Sequence, residues 1–470
     1  SPVICHSHRS SATVTGHQPQ SPVIAQAASP SIIASVSPYE QLLAEFPQVV
    51  NQSKVLPTPS SDVEHHITTT GPPVASKFRR LDSVKLAAAK KEFFQMERDG
   101  IVRRSDSPWS SPLHMVMKPD GTWRPCGDYR RLNLITTKDS YPLPNMADFA
   151  DRLEGCVIFS KVDLRKGYHQ IRMNAADIPK TAIITPFGLW EFLRMTFGLR
   201  NAGNTFQRYM DRVLAGLDFI FVYLDDVIVA SKSEAEHLQH LRILFQRLSA
   251  ASLVINREKC VFGAAAVEFL GHHVSAAGTA PTVSHVEAIQ RHPQPTTVKE
   301  LQGFLGTINF YRRFIPAAAK LLRPLTDVLR GSPGPAVALD WSEEMSAAFL
   351  AAKAALCKSV FLAHPAAKAE LSLMVDASAA HVGASLQQRS SPAAAWQPLG
   401  FFSKKLDATQ ARYSAFDREL LACFSGIRHF RHMLEGRRFC LYTDHKPLTQ
   451  ALFRTSDPWT PRQCRQLSYI

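Results

Sequence analysis

Residues 219–231 read Phe-Ile-Phe-Val-Tyr-Leu-Asp-Asp-Val-Ile-Val-Ala-Ser, two apolar runs separated by the acidic pair Asp225-Asp226. This pattern predicts a β-hairpin with two carboxylates at its tip. Aspartate is a favoured turn residue, so a purely structural turn is one interpretation of the pair. Two adjacent carboxylates between apolar strands are nevertheless costly unless a cation or a hydrogen-bond donor compensates them. The hairpin tip is therefore the first candidate for a cation-binding site.

A third carboxylate lies upstream, at the end of a similar apolar run. Asp163 follows Val157–Val162, which also reads as a strand with a polar end. Carboxylates on adjacent strand ends can hold two Mg²⁺ ions, because hard cations prefer oxygen ligands. Two such ions activate an attacking hydroxyl and stabilise a leaving phosphate oxygen. Asp163, Asp225 and Asp226 with their two ions would then be the minimum equipment for joining nucleotides, which needs positioning and charge stabilisation more than covalent chemistry.

Strands and helices alternate along the first part of the chain. The apolar spacing predicts helices over Pro38–Phe46, Val84–Arg98, Asn201–Leu217 and Glu234–Ala250. Further strands are predicted over Leu113–Met117 and Ala182–Thr185. This mixture favours an α+β fold.

The second part of the chain changes character twice. A helical section is predicted over Thr297–Leu329, and a Gly-Pro break at Gly331–Pro335 ends it. An α/β pattern follows, with a long helix over Ser414–Leu434. The strands predicted there are Leu371–Val375, Ser385–Gln388, Leu399–Phe402 and Phe439–Tyr442. These features predict at least one further domain.

A series of motifs resembles the reverse transcriptase of gypsy-class long-terminal-repeat retrotransposons. In chain order they are Asp120-Gly-Thr-Trp-Arg-Pro125, Asp128-Tyr-Arg-Arg-Leu-Asn133, Phe159-Ser-Lys-Val-Asp-Leu164, Gly167-Tyr-His-Gln-Ile171, Thr185-Pro-Phe-Gly188, Tyr223-Leu-Asp-Asp226 and Phe269-Leu-Gly-His272. The similarity runs from about His65 to the last residue. It implies a fragment of a Pol polyprotein that contains a right-hand polymerase of fingers, palm and thumb, followed by a ribonuclease H-like α/β domain.

The resemblance also implies a division of the chain. Residues 1–60 are expected to be a low-complexity, disordered linker, and residues 61–275 the fingers and palm. Residues 276–360 would be the thumb and connection helices. Residues 361–470 would be the ribonuclease H-like domain, which we expect to be truncated at its C-terminal end.

Roles in polymerisation are implied residue by residue. The metal-binding catalytic triad matches Asp163, Asp225 and Asp226, and the turn called the primer grip matches Phe269, Leu270 and Gly271. The substrate contacts match Lys118 and Arg124 for the triphosphate, Tyr168 for exclusion of a ribose 2′-OH, Phe197 and Gly198 for the incoming base pair, and Lys259 for the departing pyrophosphate. Core packing is the alternative interpretation of the aromatic residues, and an ordinary surface charge that of the basic ones.

A second set of acids resembles the ribonuclease H active site. Asp376 and Asp444 each end a predicted strand, and Glu419 lies on the long helix. These catalytic, metal-binding acids would cut the RNA strand of an RNA–DNA hybrid with two metal ions. Family members use a fourth acid from a later segment, so we expect this chain to polymerise better than it cleaves.

Composition favours a polyanionic partner. The formal net charge is +14, with 54 Lys and Arg against 40 Asp and Glu. Such a balance suits phosphate backbones, although a solvated basic surface without a partner is the alternative. The expected partners are an RNA template, a DNA primer, an RNA–DNA hybrid and deoxynucleoside triphosphates, with Mg²⁺ (two per active site) or Mn²⁺ as cofactor.

The eight cysteines contain no Cys-x-x-Cys pair, which fits a reducing, intracellular setting. Neither a secretory leader nor a membrane-spanning stretch is recognisable. The oligomeric state stays open.

Two rival functions remain at this point. One is a decayed retroelement product that folds and binds nucleic acid without catalysis. Thr196 favours it, because the family has Pro there, whereas the intact acids and Tyr168 oppose it. The other is an RNA-dependent RNA polymerase, which Tyr168 and the second nuclease-like domain disfavour.

Overall fold

The computed structural model describes residues 37–50, 56–57, 63–118, 120–145, 149–359, 361–451 and 459–470. The chain divides into Ser1–Ser37 and Pro38–Ile470, and every element below belongs to the second unit. Most of the predicted disordered linker therefore lies outside the described residues. No helix among the described residues is long and apolar enough to cross a membrane.

Helices and strands alternate through the first two thirds of the described chain, as predicted. The helices are α1 (Pro38–Ala44), α2 (Pro47–Val50), α3 (Ser83–Arg98), α4 (Arg130–Ile135), α5 (Ala202–Val213), α6 (Glu234–Ala250), α7 (Val283–Gln290), α8 (Val298–Phe310), α9 (Ala318–Leu321), α10 (Arg323–Asp327), α11 (Glu343–Cys357), α12 (Ala415–His429), α13 (Arg431–Leu434), α14 (Lys446–Ala451) and α15 (Pro461–Leu467).

The strands form several separate sheets. They are β1 (Glu64–His65), β2 (Val102–Arg104), β3 (Ser111–Met117), β4 (Trp123–Gly127), β5 (Ile158–Asp163), β6 (Arg172–Met173), β7 (Ile183–Thr185), β8 (Gly188–Phe192), β9 (Ile220–Tyr223), β10 (Asp226–Ser231), β11 (Val261–Ala264), β12 (Ala266–Phe269), β13 (His272–Ser275), β14 (Gly278–Pro281), β15 (Glu370–Ala377), β16 (His381–Arg389), β17 (Gln397–Lys405) and β18 (Phe439–Tyr442).

The predicted hairpin is confirmed as β9 and β10, within a four-stranded sheet of order β11-β5-β10-β9. Both faces of this sheet are covered. Val227 and Val229 belong to the core that contains residues of α5 and α6, whereas Ile228 belongs to the core on the opposite face with Phe159 and Phe221. Burial on both faces explains why the two runs are continuously apolar instead of alternating. A five-stranded sheet of order β2-β8-β7-β3-β4 stands next to it in the same core.

The predicted helical section is present as α8 to α10, with α11 packed against it. A capping box fixes the start of α8, since the Thr297 hydroxyl accepts from the Glu300 N–H and the Glu300 carboxylate accepts from the Thr297 N–H. Phe304 and Phe314 are completely buried, so core packing is the right interpretation for them. Phe310 is 55% exposed and faces solvent instead.

The last domain is a sheet of order β17-β16-β15-β18, in which only the β15–β18 pair is parallel. The helix α12 lies on this sheet so closely that a Cβ on Gly426 would come within 2.9 Å of the Ala384 Cβ. The predicted helix Ser414–Leu434 ends earlier than expected, at His429, and α13 follows at once. Phe430, buried against Gly400, makes the bend that also turns Met433 and Leu434 into the core.

One segment of the predicted linker is folded. Residues 38–50 contain α1 and α2, and Leu42, Leu43, Phe46 and Val49 are buried in the same hydrophobic core as residues of α5 and α6. The predicted limit between palm and thumb at residues 275 and 276 falls between β13 and β14, which are paired strands of one sheet. The domain limits accordingly stay predictions.

Candidate active sites

The palm acids meet where β5 and β10 end. Asp163 and Asp226 are direct partners in the antiparallel ladder of these strands. Asp226 also pairs with Tyr223 across the hairpin, which leaves Leu224 and Asp225 as a two-residue turn. Leu224 has a positive φ of 56°. A left-handed conformation costs a residue with a Cβ roughly 1 kcal/mol or more, so the surrounding structure must hold this turn in place.

Gln207 of α5 supplies that support. Its side chain is completely buried, its Oε1 accepts from the Leu224 N–H at 2.8 Å, and its Nε2 donates to the Val222 carbonyl at 3.1 Å. Sequence reasoning missed this residue. The available signal is a polar side chain on the apolar face of a helix, next to Phe206 and one turn before Met210.

Gly167 is a second positioning residue that sequence reasoning did not assign. A Cβ there would lie 2.9 Å from the Cβ of Asp225 and 3.3 Å from the Phe206 ring. Contacts under 3 Å force a shift of one partner, so glycine is needed for the close approach of this turn to Asp225. It belongs to the motif that contains Tyr168, so this motif has a packing role in addition to its predicted contact with the substrate.

Burial dominates the electrostatics of the palm acids. It raises the pKa of Asp163 and of Asp225 above the ordinary aspartate range, and the neighbouring carboxylates act in the same direction. The Lys259 ammonium opposes this effect at both carboxyls. Asp226 is paired with Lys161, whose Nζ lies 3.2 Å from its Oδ1. The site thus concentrates negative charge that nearby lysines only partly balance.

A cleft of about 910 Å³ opens over these acids. Its wall includes Asp163 and Asp225 together with the predicted substrate contacts Lys118, Arg124, Phe197 and Lys259. Arg165, Lys166 and Arg257 add further positive charge to the same wall. The structure therefore brings acids and cations from distant parts of the sequence to one cavity, as phosphate chemistry requires.

The predicted triphosphate contacts lie on the β3–β4 hairpin. Lys118 and Arg124 are both exposed, and the turn between them is closed by the hydrogen bond from the Lys118 N–H to the Thr122 carbonyl at 2.8 Å. The Arg124 guanidinium stands 5.5 Å from the centre of the Phe197 ring. An exposed, flexible pair of cations beside the cleft is suited to binding a mobile anion.

Tyr168 and Phe197 form one aromatic group, with ring centroids 4.6 Å apart. The Tyr168 ring also stacks on Phe206 at 5.5 Å, and burial raises the pKa of its hydroxyl to about 12. Gly198 has a φ of +88°, which lets the chain turn directly after Phe197. Core packing therefore accounts for part of the Tyr168 environment, and its role in sugar selection stays a prediction.

The predicted primer grip is the turn between β12 and β13. Leu270 and Gly271 both have positive φ values, 47° and 77°. The Tyr311 hydroxyl, next to the end of α8, donates to the Gly271 carbonyl at 2.9 Å and ties the turn to the helical section. Phe269 is completely buried beneath the turn, so its side chain anchors the turn from below.

The second set of acids is drawn together more tightly. Each of Asp376, Glu419 and Asp444 offers a carboxylate oxygen within 4.8 Å of the others, the only such acidic trio among the described residues. Asp376 is the second-to-last residue of β15, and Asp444 follows the end of β18. These neighbouring strands are parallel, so both acids reach the same edge of the sheet. Glu419 approaches from α12, where it accepts from the Ala377 N–H at 2.9 Å.

Glu419 is buried, whereas Asp376 and Asp444 are exposed. Burial and the two neighbouring carboxylates raise the pKa of Glu419. Oxygen ligands, like charges and a common edge fit a divalent cation well.

Two protein families match this chain. "Reverse transcriptase (RNA-dependent DNA polymerase)" matches residues 116–274, which hold the palm acids and the cleft. "RNase H-like domain found in reverse transcriptase" matches residues 341–441, which hold Asp376 and Glu419. Both families generally depend on divalent metal ions, in agreement with the acidic donor sets of the two sites.

Curated relatives are polyproteins of transposons. The chain is 38% identical over 398 residues to a retrovirus-related Pol polyprotein from transposon 297 of Drosophila melanogaster, covering 83% of this chain and 37% of that protein. It is 32% identical over 429 residues to the transposon Tf2-3 polyprotein of Schizosaccharomyces pombe, covering 90% and 32%. The chain thus spans less than half the length of these relatives.

Among solved structures, the chain resembles the foamy viral protease-reverse transcriptase. The TM-score to its complex with dsDNA is 0.81, at 20% identity, over 92% of this chain and 90% of that chain. The TM-score to its complex with an RNA/DNA hybrid is 0.77, over 92% and 58%. At this identity the likeness establishes the fold, a polymerase followed by an RNase H-like domain. By family and by relatives together, the chain belongs to the gypsy-like retrotransposon Pol polyproteins and carries a reverse transcriptase domain followed by an RNase H-like domain.

Proposed function

We propose that this chain is an RNA-directed and DNA-directed DNA polymerase, with an attached domain that cuts the RNA strand of RNA–DNA hybrids. The observation that carries the proposal is that Asp163 and Asp225 line a cleft together with Lys118, Arg124 and Lys259. Asp226, the ladder partner of Asp163, lies next to them. The acids would hold the metal ions that act at the primer end, and the cations would bind the triphosphate, so nucleotide transfer needs both groups.

Asp163, Asp225 and Asp226 would hold two Mg²⁺ or Mn²⁺ ions. When bound, these ions supply activation of the primer 3′-hydroxyl and stabilisation of the charge on the phosphates. The burial that raises the pKa of Asp163 and Asp225 means that their negative charge is unfavourable without a compensating cation. A fixed, partly desolvated acidic set is therefore strongly biased toward cation binding.

The cations of the cleft act on the triphosphate. Lys118 and Arg124 bind and orient it from the β3–β4 hairpin, where the planar guanidinium can form paired hydrogen bonds to phosphate oxygens. Lys259 lies close enough to Asp163 for its positive charge to oppose part of the rise in the pKa of that carboxyl. From there it stabilises the negative charge on departing pyrophosphate or donates a proton to it.

Tyr168 selects the sugar, and Phe197 with Gly198 receives the new base pair. A ring held between Phe197 and Phe206 cannot move aside for a 2′-OH without disturbing its packing. The turn of Phe269, Leu270 and Gly271 holds the primer, with Tyr311 as its support. RNA template, DNA primer and deoxynucleoside triphosphates are the ligands that this set of contacts fits.

Asp376, Glu419 and Asp444 would hold divalent ions for hybrid cleavage. Glu419 is fixed by two donors, the Ala377 N–H at 2.9 Å and the Thr443 hydroxyl at 3.4 Å, while both aspartates stay open to an incoming phosphate. The proposed partition of the chain is the predicted one, with fingers and palm over residues 61–275, thumb and connection over 276–360, and the RNase H-like domain over 361–470.

A decayed product that only binds nucleic acid is the second candidate. The observation in its favour is Thr196, which is buried at the cleft wall next to Phe197, where the family has Pro. Primer extension separates the two. The whole chain is given a DNA primer on an RNA template and, in parallel, on a DNA template, with deoxynucleotides and Mg²⁺. Extension on both templates supports the polymerase. Binding of the primer–template without extension, with Mg²⁺ or Mn²⁺, contradicts it and supports the decayed product.

A further inference from the structure

The N-terminal strap, residues 38–50, packs against α6 through α1 and α2. Leu42, Leu43 and Val49 are buried, and Phe46 lies 5.8 Å from the Phe245 ring of α6. A sequence of this length forms no stable helix by itself, so packing on the palm must hold the strap. Its place in the fold is therefore specific.

The strap also reaches the segment that carries Lys259. The Ile255 N–H donates to the Val49 carbonyl at 2.9 Å, and the next residue, Asn256, donates from its N–H to the Asp163 carbonyl at 2.8 Å. Main-chain hydrogen bonds thus run from the strap through residues 255 and 256 to the catalytic strand. Val50, at the end of the strap, lines the cleft itself.

An ion pair makes the second connection. Glu40 of α1 is paired with Arg257, the first residue of the short 3-10 turn Arg257–Lys259. The Arg257 guanidinium is also held 5.3 Å from the Phe262 ring, and its residue lines the cleft. The turn is consequently held at its first residue by the strap and presents Lys259 at its last.

We propose that Glu40 is a positioning residue for nucleotide transfer, which acts through Arg257 to hold the Lys259 turn beside Asp163. The inference rests on the proposed polymerase function and on the role of Lys259 in it. An ion pair exposed to solvent contributes little to stability, so its loss should leave the fold intact. A displacement of about 1 Å at a group that acts in the transition state can nevertheless cost far more in rate.

The chain provides a matched control on the same strap. Glu45 of the strap pairs with Arg242 of α6, and the side-chain exposures of Glu45 and Glu40 are 47% and 46%. Arg242 is not part of the cleft wall. Neutralising Glu45 therefore removes an equivalent ion pair without touching the Lys259 turn.

The experiment compares Glu40→Gln, Glu40→Asp and Glu45→Gln in the whole chain. Single-nucleotide incorporation is followed before the steady state, which separates the maximum rate from the Kd of the nucleotide. We expect Glu40→Gln to lower the maximum rate about three- to tenfold with an unchanged Kd, because Lys259 acts on the departing group and not on ground-state binding. Glu45→Gln should keep the wild-type rate, and Glu40→Asp should recover part of the loss.

A double variant tests the route. If Glu40 acts through Lys259, adding Glu40→Gln to Lys259→Ala lowers the rate no further than Lys259→Ala alone. Hydrogen exchange gives a readout that needs no catalysis. The amides of residues 255–260 should exchange faster in Glu40→Gln than in Glu45→Gln.

Equal rates for Glu40→Gln and Glu45→Gln would overturn the inference. So would a change confined to the nucleotide Kd, which would mean that releasing Arg257 into the cleft alters binding and not positioning. So would additive losses in the double variant. A wild-type chain that extends no primer is a different result, because it contradicts the polymerase function itself.

Discussion

The two acidic sites of this chain solve one electrostatic problem in different ways. In the palm, Asp163 and Asp226 are partners in a strand ladder, and Asp225 follows the left-handed residue Leu224 in the hairpin turn. Lys161 and Lys259 provide nearby positive charge. In the RNase H-like domain, three carboxylate oxygens lie within 4.8 Å of one another, and Glu419 interacts with two like charges and two neutral hydrogen-bond donors.

The two sites differ in the structural feature that is energetically unfavourable. In the palm, the unfavourable feature is the backbone conformation of Leu224, whose positive φ is stabilised by the hydrogen bond to Gln207. In the RNase H-like site, the strand ends and the helix are regular, and the unfavourable feature is the repulsion among the three carboxylates. We therefore expect substitutions in the palm to change the rate of synthesis more than stability, and substitutions at Glu419 to change stability and ion binding together.

The largest effect should come from Asp225→Asn. The substitution keeps the shape of the turn and removes one charge of the triad, so DNA synthesis should fall by at least about a hundredfold. Primer extension measures the rate, and circular dichroism checks the fold. Asp218→Asn, an exposed acid just before β9, serves as the control and should synthesise normally. More than about a tenth of the wild-type rate in Asp225→Asn would remove Asp225 from the triad.

Tyr168 tests a property that only the palm is expected to have. Removing the ring with Tyr168→Ala should raise ribonucleotide incorporation relative to deoxynucleotide incorporation by about tenfold or more, since the 2′-OH would no longer meet it. Tyr168→Phe keeps the ring and should discriminate as the wild type does. An unchanged ratio in the alanine variant would leave Tyr168 with a packing role alone.

Gln207→Leu addresses the unfavourable backbone conformation in the palm. The half-buried Leu224 N–H would lose its acceptor, at a cost of about 1 kcal/mol, and the turn should become mobile. We expect synthesis to fall up to about tenfold, less than for Asp225→Asn, with a lower Tm. Adding Leu224→Gly should recover part of the rate, because glycine adopts a positive φ without strain. If Gln207→Leu leaves both rate and Tm unchanged, the turn does not depend on this amide.

Glu419→Gln should give the smallest effect, a change in Tm opposite in sign to that of Gln207→Leu. In the absence of divalent ions it should raise the Tm by a few degrees, because a buried charge next to two like charges disappears, a gain of roughly 1 kcal/mol at most. Mg²⁺ should stabilise the wild type and stabilise Glu419→Gln much less. Asp417→Asn on the same helix breaks the ion pair with Arg462 and should lower the Tm instead. A destabilised Glu419→Gln would show that its carboxylate is structural.

The sequence predicted the parts of this molecule that depend on local pattern. The hairpin with its acidic pair, the strand that ends at Asp163, and the alternation of strands and helices are all visible in apolar spacing. Gln207 and Gly167 were not predicted, because their roles arise from contacts with Leu224 and Asp225, which lie on other elements.

The folded strap shows the same limit. The spacing of Leu42, Leu43 and Phe46 indicates a helix over Pro38–Phe46, yet composition placed residues 1–60 in a disordered linker. Those apolar residues are buried in a core shared with α6, where Phe46 contacts Phe245. Local spacing can suggest that a segment is amphipathic, but the surface that receives it is a property of the tertiary structure.

The pairing of Asp163 with Asp226 in the β5–β10 ladder has a consequence for how copies of a retrotransposon diverge in sequence. Side chains alternate between the faces of a strand, so one residue inserted within Ile158–Asp163 would turn every later side chain of that strand to the other face and separate the two acids. Conservative substitutions among the apolar residues of the same strand leave the pairing of Asp163 with Asp226 intact. A lineage of copies can therefore drift in the composition of β5 and β10 but not in their length, and strand length distinguishes copies that keep the acid pair from copies that have lost it.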